Sequence, residues 1–143
     1  MTAVVVDASV AVKWCLPVED EQLVPEAEEL LASYRARDIA FLVPDLFWLE
    51  LASALWKAVR NRKIDRNRAE RSYSLVTDLG IPTIATFDLV PAALDLAVMH
   101  DRTVYDSIYV ALALQYRANL ITADERLANA LAARFPVKWL GAF

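Results

Sequence analysis

The chain has 143 residues, 57% of them hydrophobic, with 15 Lys and Arg against 19 Asp and Glu and a formal charge of −4. That length fits a single domain, residues 1–143, with one substantial core, and the net acidity excludes a protein that grips nucleic acid over its whole surface. Charges interrupt the apolar residues before any run reaches the ~20 residues of a membrane span, and the chain opens with no basic leader, so the composition predicts a cytoplasmic protein with no membrane partner.

Ala3 to Val6 reads as a buried strand, a short β-branched run of the kind found in parallel sheets. Asp7 then begins a short helix that ends before Pro17. Pro25 belongs in the first turn of a helix running to about Arg35, with Leu30, Leu31 and Tyr34 facing inward. Ala40 to Val43 is a second strand, and Pro44-Asp45 opens a long helix to about Arg60. That helix is apolar nearly all round, which predicts burial on more than one face. Asp65 caps the next helix and Gly80 closes it. Thr83 to Thr86 is a third strand, Asp88 caps a helix to about His100, and Thr103 introduces another to Arg117. Asn119 to Thr122 is the fourth strand, followed by a helix from Glu125 to about Arg134 and an edge strand at Val137 to Leu140. Strands alternating with helices predict an α/β fold in three layers, a mostly parallel sheet of four to five strands with helices on both faces.

Four acidic residues stand beside or inside the most apolar stretches: Asp7 after Val4-Val5-Val6, Glu50 within Leu46 to Ala52, Asp106 before Ile108 to Leu112, and Asp124 after Leu120-Ile121-Thr122. Carboxylates next to a core lose hydration, so they shift pKa, find partners or bind a cation. In a parallel α/β sheet the strand C-termini and helix N-termini share one edge, where ligands bind, and all four residues map to it. Capping is the competing account for each aspartate. Asp7 and Asp124 both read as N-caps, Thr103-x-x-Asp106 resembles a capping box, and Thr122-x-x-Glu125 matches one. Asp45, Asp65 and Asp88 read as caps alone. Capping does not cover Glu50, which lies well past Asp45; its competing account is a buried pair with Lys57. Ser9 and Thr122 add hydroxyls to the same edge, Thr122 as a group that orients Asp124.

Between Lys57 and Arg71 lie seven basic residues and only two acidic ones, a window of +5 in a chain otherwise at −9. It is either a solvated helical hairpin or, through Arg60, Arg62, Lys63 and Arg66, a surface for RNA phosphates or for an acidic stretch of a protein partner. The single cysteine, Cys15, sits among Val12, Trp14 and Leu16 and reads as a buried apolar filler. His100, the one histidine, reads as a helix-terminal cation or a packed side chain rather than a general base.

Asp7-Ala8-Ser9 after the first strand, Pro44 to Leu55 around Glu50, Val104 to Ala113 around Asp106, and Leu120 to Leu127 around Asp124 together resemble the PIN-domain family. More narrowly they are similar to its VapC-type toxins of toxin–antitoxin pairs, over essentially the whole chain. The turn His100-Asp101-Arg102 departs from the glycine-containing turn frequent in that family. The resemblance implies a PIN-like fold and a Mg²⁺- or Mn²⁺-dependent endoribonuclease with Asp7, Glu50, Asp106 and Asp124 as its acidic quartet. It also implies an RNA substrate, a cognate VapB-type antitoxin and a homodimer, for which Trp14 and Phe143 are candidate exposed apolar residues.

Oxygen-only ligands favour Mg²⁺ or Mn²⁺ over zinc. The expected arrangement has Asp7 and Asp106 on the principal ion, with Glu50 and Asp124 completing the shell. RNA phosphodiesters would then be hydrolysed by metal-activated water, with no protein nucleophile. Two rivals stand beside this reading. A phosphoryl-transfer α/β protein would want a second acid at position 9 or paired acids before Asp7, where the chain has Ser9 and Val5-Val6. A non-catalytic module would use the acids to hold a structural ion or a basic partner.

Overall fold

The β-branched run at the N-terminus forms strand β1 (Thr2–Val6), and its Val4, Val5 and Val6 are buried, as both faces of a parallel sheet must be. The computed structural model describes residues 1–142. β1 is flanked by β2 (Ile39–Pro44) and β4 (Asn119–Thr122), with β3 (Thr83–Ile84) beyond β2 and β5 (Val137–Trp139) beyond β4. Every pairing is parallel, in the order β3-β2-β1-β4-β5. This is the three-layer α/β/α arrangement read from the sequence, with five strands. β3 stops two residues short of expectation because β2 gives out at Pro44, opposite Ile84, and Asp45 then turns into a helix.

Among the described residues seven α-helices connect the strands: α1 (Ala8–Cys15), α2 (Val24–Arg35), α3 (Leu46–Arg60), α4 (Arg66–Thr77), α5 (Val90–His100), α6 (Val104–Tyr116) and α7 (Glu125–Leu131). α1 packs on α2, α3 and α4, while α5 pairs with α6, which touches β1, β2 and β4. Phe41 at the centre of β2 stacks on Tyr34 of α2 at 4.3 Å and on Trp14 of α1 at 5.9 Å. Trp14 is therefore partly buried against the core, its Nε1 donating to the Ala27 carbonyl at 2.8 Å, and not the exposed dimer residue expected. Phe143 lies outside the described residues. No helix among the described residues is long and apolar enough to cross a membrane.

Composition misplaces the most buried helix. α3 buries one stripe, Phe47, Leu51, Leu55 and Ala58, and leaves Leu49 70% and Trp56 58% exposed, so it is not buried on more than one face. The helix buried all round is α6, where every residue from Ser107 to Ala113 is inside. Burial follows from position: α6 lies under α5 and over three central strands, whereas α3 meets the sheet on one side only.

Helix ends divide the aspartates. Asp65 caps α4, its Oδ1 accepting from the Arg68 amide at 2.7 Å. Asp45 does not cap α3, because its backbone (φ −61°, ψ −24°) is already helical and a cap needs extended geometry. Asp88 lies inside a 3₁₀ turn, Phe87–Leu89, which displaces the start of α5 to Val90 and removes that cap as well. Asp101 closes α5 in the left-handed conformation (φ 53°), the role a glycine would fill; aspartate tolerates it better than most residues.

The strand order has a functional consequence. From β1 the chain moves toward β2, and from β4 it moves toward β5 on the opposite side, so the carboxyl ends of β1 and β4 diverge. A crevice opens at such a switch point. Asp7 follows β1 and Asp124 follows β4, and the Asp7 amide still donates to the Ile121 carbonyl at 3.0 Å, tying the two strand ends together.

Candidate active site

Asp7 is buried at the end of β1, and it occupies the N-cap position of α1 without completing a side-chain cap hydrogen bond. Its Oδ2 instead accepts from the Thr122 hydroxyl at 2.6 Å and the Ser9 hydroxyl at 2.9 Å. Those hydroxyls are themselves anchored: Ser9 Oγ accepts from the Ala123 amide and Thr122 Oγ1 from the Asp124 amide, each at 3.0 Å. Thr122 thus bridges Asp7 to the backbone of Asp124 across the β1–β4 seam. Burial raises the Asp7 pKa above the usual aspartate value, the two hydroxyls and the nearby Ser9 amide oppose the rise, and the charge of Asp106 adds to it.

Asp124 does cap its helix. Its Oδ1 accepts from the Arg126 and Leu127 amides at 3.0 and 3.2 Å, and its side chain is exposed. The Thr122-x-x-Glu125 box is not formed, because Asp124 is the cap and the Thr122 hydroxyl is spent on Asp7. At α6, Thr103 caps with its hydroxyl accepting from the Asp106 amide at 3.0 Å. Burial raises the Asp106 pKa, the Thr103 hydroxyl and Arg102 oppose it, and the Asp124 charge contributes to the rise.

Glu50, half-buried on α3, does not pair with Lys57; the ion pairs among the described residues are Lys13–Glu21 and Arg66–Glu70. Its Oε1 accepts from the Tyr109 hydroxyl at 2.6 Å. Burial raises the Glu50 pKa, the Tyr109 bond opposes that, and the charges of Asp7 and Asp106 push it higher. Tyr109 is buried on α6, and burial, the Asp7 and Glu50 charges and the bond to Glu50 hold its phenol far above the ordinary tyrosine range. The Ala8 backbone also faces this hydroxyl, so one side chain links the second carboxylate to the turn that carries the first. Sequence reasoning missed Tyr109, although its place three residues after Asp106 puts it on the same side of α6.

The fold therefore brings together side chains from four distant segments, with Asp106 electrostatically coupled to Asp7, Glu50 and Asp124. The direct hydrogen bonds to Asp7, Glu50 and Asp124 fall on one oxygen each, Oδ2, Oε1 and Oδ1. Among the described residues no three acidic, cysteine or histidine side chains stand at direct ligand spacing. The four carboxylates are hard oxygen donors, the ligand type that divalent cations such as Mg²⁺ and Mn²⁺ take.

The remaining chemistry-bearing residues lie elsewhere. Cys15 is buried, and burial pushes its thiol up to about 11, which suits an apolar filler and not a nucleophile. His100 packs edge-on against Phe135 at 5.0 Å at the end of α5. In the basic hairpin Arg60 lies over the Trp56 ring at 5.4 Å and Arg66 pairs with Glu70, while Arg62 and Lys63 form the turn between α3 and α4, Arg62 with φ 59°.

Comparison with known proteins bears on the family and the fold. Residues 4–131 match the family model described as PIN domain. Over 129 residues the chain is 32% identical to Ribonuclease VapC3 of Pyrobaculum aerophilum, an alignment covering 87% of this chain and 92% of that protein. The crystal structure of PAE2754 from Pyrobaculum aerophilum superposes with a TM-score of 0.74 at 19% identity, covering 99% of this chain and 91% of that one. A chain of a toxin–antitoxin complex from Klebsiella pneumoniae superposes with a TM-score of 0.60 at 17% identity, covering 94% and 95%. At those identities the two structures bear on the fold alone.

Proposed function

The chain belongs to the PIN-domain family, in its VapC-type group, and from that premise we propose that it is a divalent-metal-dependent endoribonuclease, the toxin of a toxin–antitoxin pair. Its partners on this reading are the RNA substrate, a cognate antitoxin of VapB type and a second copy of the chain, in the cytoplasm. The likeness to a ribonuclease over most of both chains supports the activity. The observation that carries the site is the hydroxyl clamp on buried Asp7, two donors on one carboxylate oxygen from residues 113 positions apart. Two donors that oppose protonation of a buried carboxylate beside three others serve a cation better than they serve the fold.

Asp7 and Asp106 would hold the principal ion, with Glu50 and Asp124 completing the shell directly or through water. A bound Mg²⁺ or Mn²⁺ supplies positive charge for the phosphodiester and an acidified water for in-line attack. The chain's own work is positional. Ser9 and Thr122 hold Asp7 in one rotamer and favour its anion. Tyr109 does the same for Glu50. Thr103 caps α6 at the Asp106 amide and so fixes the turn that carries Asp106.

The test is RNA cleavage by the purified chain with Mg²⁺ or Mn²⁺, with chelator, and by Asp7→Asn. Cleavage lost on chelation and in Asp7→Asn, with a folded variant, supports the proposal. Asp7→Asn cleaving at the unsubstituted rate overturns the site. A chain that binds the ion and never cleaves RNA is instead the non-catalytic module.

A further inference from the structure

Beside the carboxylates a groove of about 520 Å³ runs between α3 and the start of α6, lined by Leu46, Leu49, Glu50, Lys57 and Tyr105 among others. Its volume is within the roughly 300–1,000 Å³ of small-ligand sites. Glu50 belongs to both the groove and the acidic cluster, so whatever fills the groove ends at the site. Tyr105, one residue before Asp106, is 63% exposed, and its hydroxyl makes no hydrogen bond among the described residues. A large aromatic held in water, unpaired and next to a proposed catalytic acid, has no role in the core.

The groove's chemistry is segregated. Leu46, Leu49 and the Tyr105 ring offer apolar and aromatic faces, and Lys57 offers a cation that enters none of the ion pairs of the described residues. Lys57 also begins the basic run that continues to Arg71. A flat π-face joined to an anion matches this pairing, and a nucleotide of RNA has both. We propose, resting on the nuclease reading above, that this groove seats an unpaired nucleobase of the substrate beside the scissile phosphate, stacked on Tyr105, with Lys57 on the flanking phosphate. Paired bases in an A-form helix keep their faces stacked inside, so the groove selects single-stranded or looped RNA.

The test uses a fluorescein-labelled single-stranded oligoadenylate, the same strand annealed to oligouridylate, and an abasic strand of equal length. Binding is measured in the Asp7→Asn background so that the probe survives. Base–aromatic stacking of ~1–3 kcal/mol corresponds to a loss of roughly 5- to 150-fold in affinity for Tyr105→Ala, with Tyr105→Phe and Tyr105→Trp close to the parent. The abasic strand should bind the parent more weakly than the oligoadenylate does, and bind Tyr105→Ala no more weakly than that variant's oligoadenylate. Such coupling distinguishes stacking from a fold defect, which would weaken both strands alike. Equal affinity of Tyr105→Ala and parent overturns the proposal, as does preference for the duplex. A self-association lost in Tyr105→Ala with RNA binding unchanged gives the groove to a second copy and also overturns it. Failure of the nuclease reading is seen separately: a chain with Tyr105 intact that never cleaves total RNA removes that reading and, with it, the substrate assignment.

Discussion

At the scale of single residues the site depends on who donates to whom. Tyr109 donates to Glu50 at 2.6 Å, and that bond opposes the effect of burial and of the Asp7 and Asp106 charges on the Glu50 carboxyl. Tyr109→Phe removes the opposing influence and keeps the ring, so the Glu50 pKa should rise further. A cation then competes with a proton more tightly held, and the acidic limb of the cleavage profile should move to higher pH, with a loss of roughly 10- to 100-fold at neutral pH. A pH–rate profile of the variant checks this; a profile superimposable on that of the unsubstituted protein would show that Tyr109 has no part in the site. Asp7 and Asp124 look alike in sequence, each an aspartate between strand and helix, and only the structure separates them. Asp124 spends one oxygen on two helix amides, whereas Asp7 completes no cap bond and is gripped by hydroxyls. Cap geometry depends on a turn's dihedrals, which neighbouring residues do not disclose.

Among the elements, the strands and helix starts were largely legible because they rest on local signals. β4 has the bounds expected, and Asp65 and Thr103 cap the helices they were expected to begin. Which apolar helix lies innermost was not legible, because α3 and α6 are similarly hydrophobic and their burial is set by sheet position. The α3–α4 hairpin carries its own prediction. Arg66 is exposed and its pair with Glu70 is worth little, so reversing Arg62, Lys63 and Arg66 to glutamate should shift stability only slightly. RNA affinity should fall and its salt dependence should become shallower, by about 0.7 in the log–log slope for each single-strand phosphate that the hairpin no longer neutralises. Binding measured across a salt series decides the matter, and an unchanged slope would leave the hairpin as a solvated surface.

For the whole molecule, the alternation of strands and helices foretold a parallel sheet, but not the order that puts β1 beside β4 and brings Thr122 to Asp7 over 115 positions. That order makes folding and the site one problem. Asp7, Glu50 and Asp106 all have pKa values raised above their ordinary values. Without a cation the folded chain therefore holds protons that the unfolded chain has released, and its stability should fall as pH rises from the ordinary carboxylate range through the raised values. Chelated protein should melt at a higher temperature at mildly acidic pH than at neutral pH, with a smaller difference in Asp7→Asn. A cation that binds only the folded chain should offset this, by about 2.7 kcal/mol at a concentration a hundred times its Kd. The most direct test is thermal unfolding at neutral pH with chelator and with Mg²⁺ or Mn²⁺, for the unsubstituted chain and Asp7→Asn. The unsubstituted chain should gain in Tm with the ion, while Asp7→Asn should start at least as stable in chelator and gain much less. A Tm in the unsubstituted chain indifferent to both ions would contradict the claim that these carboxylates form a cation site.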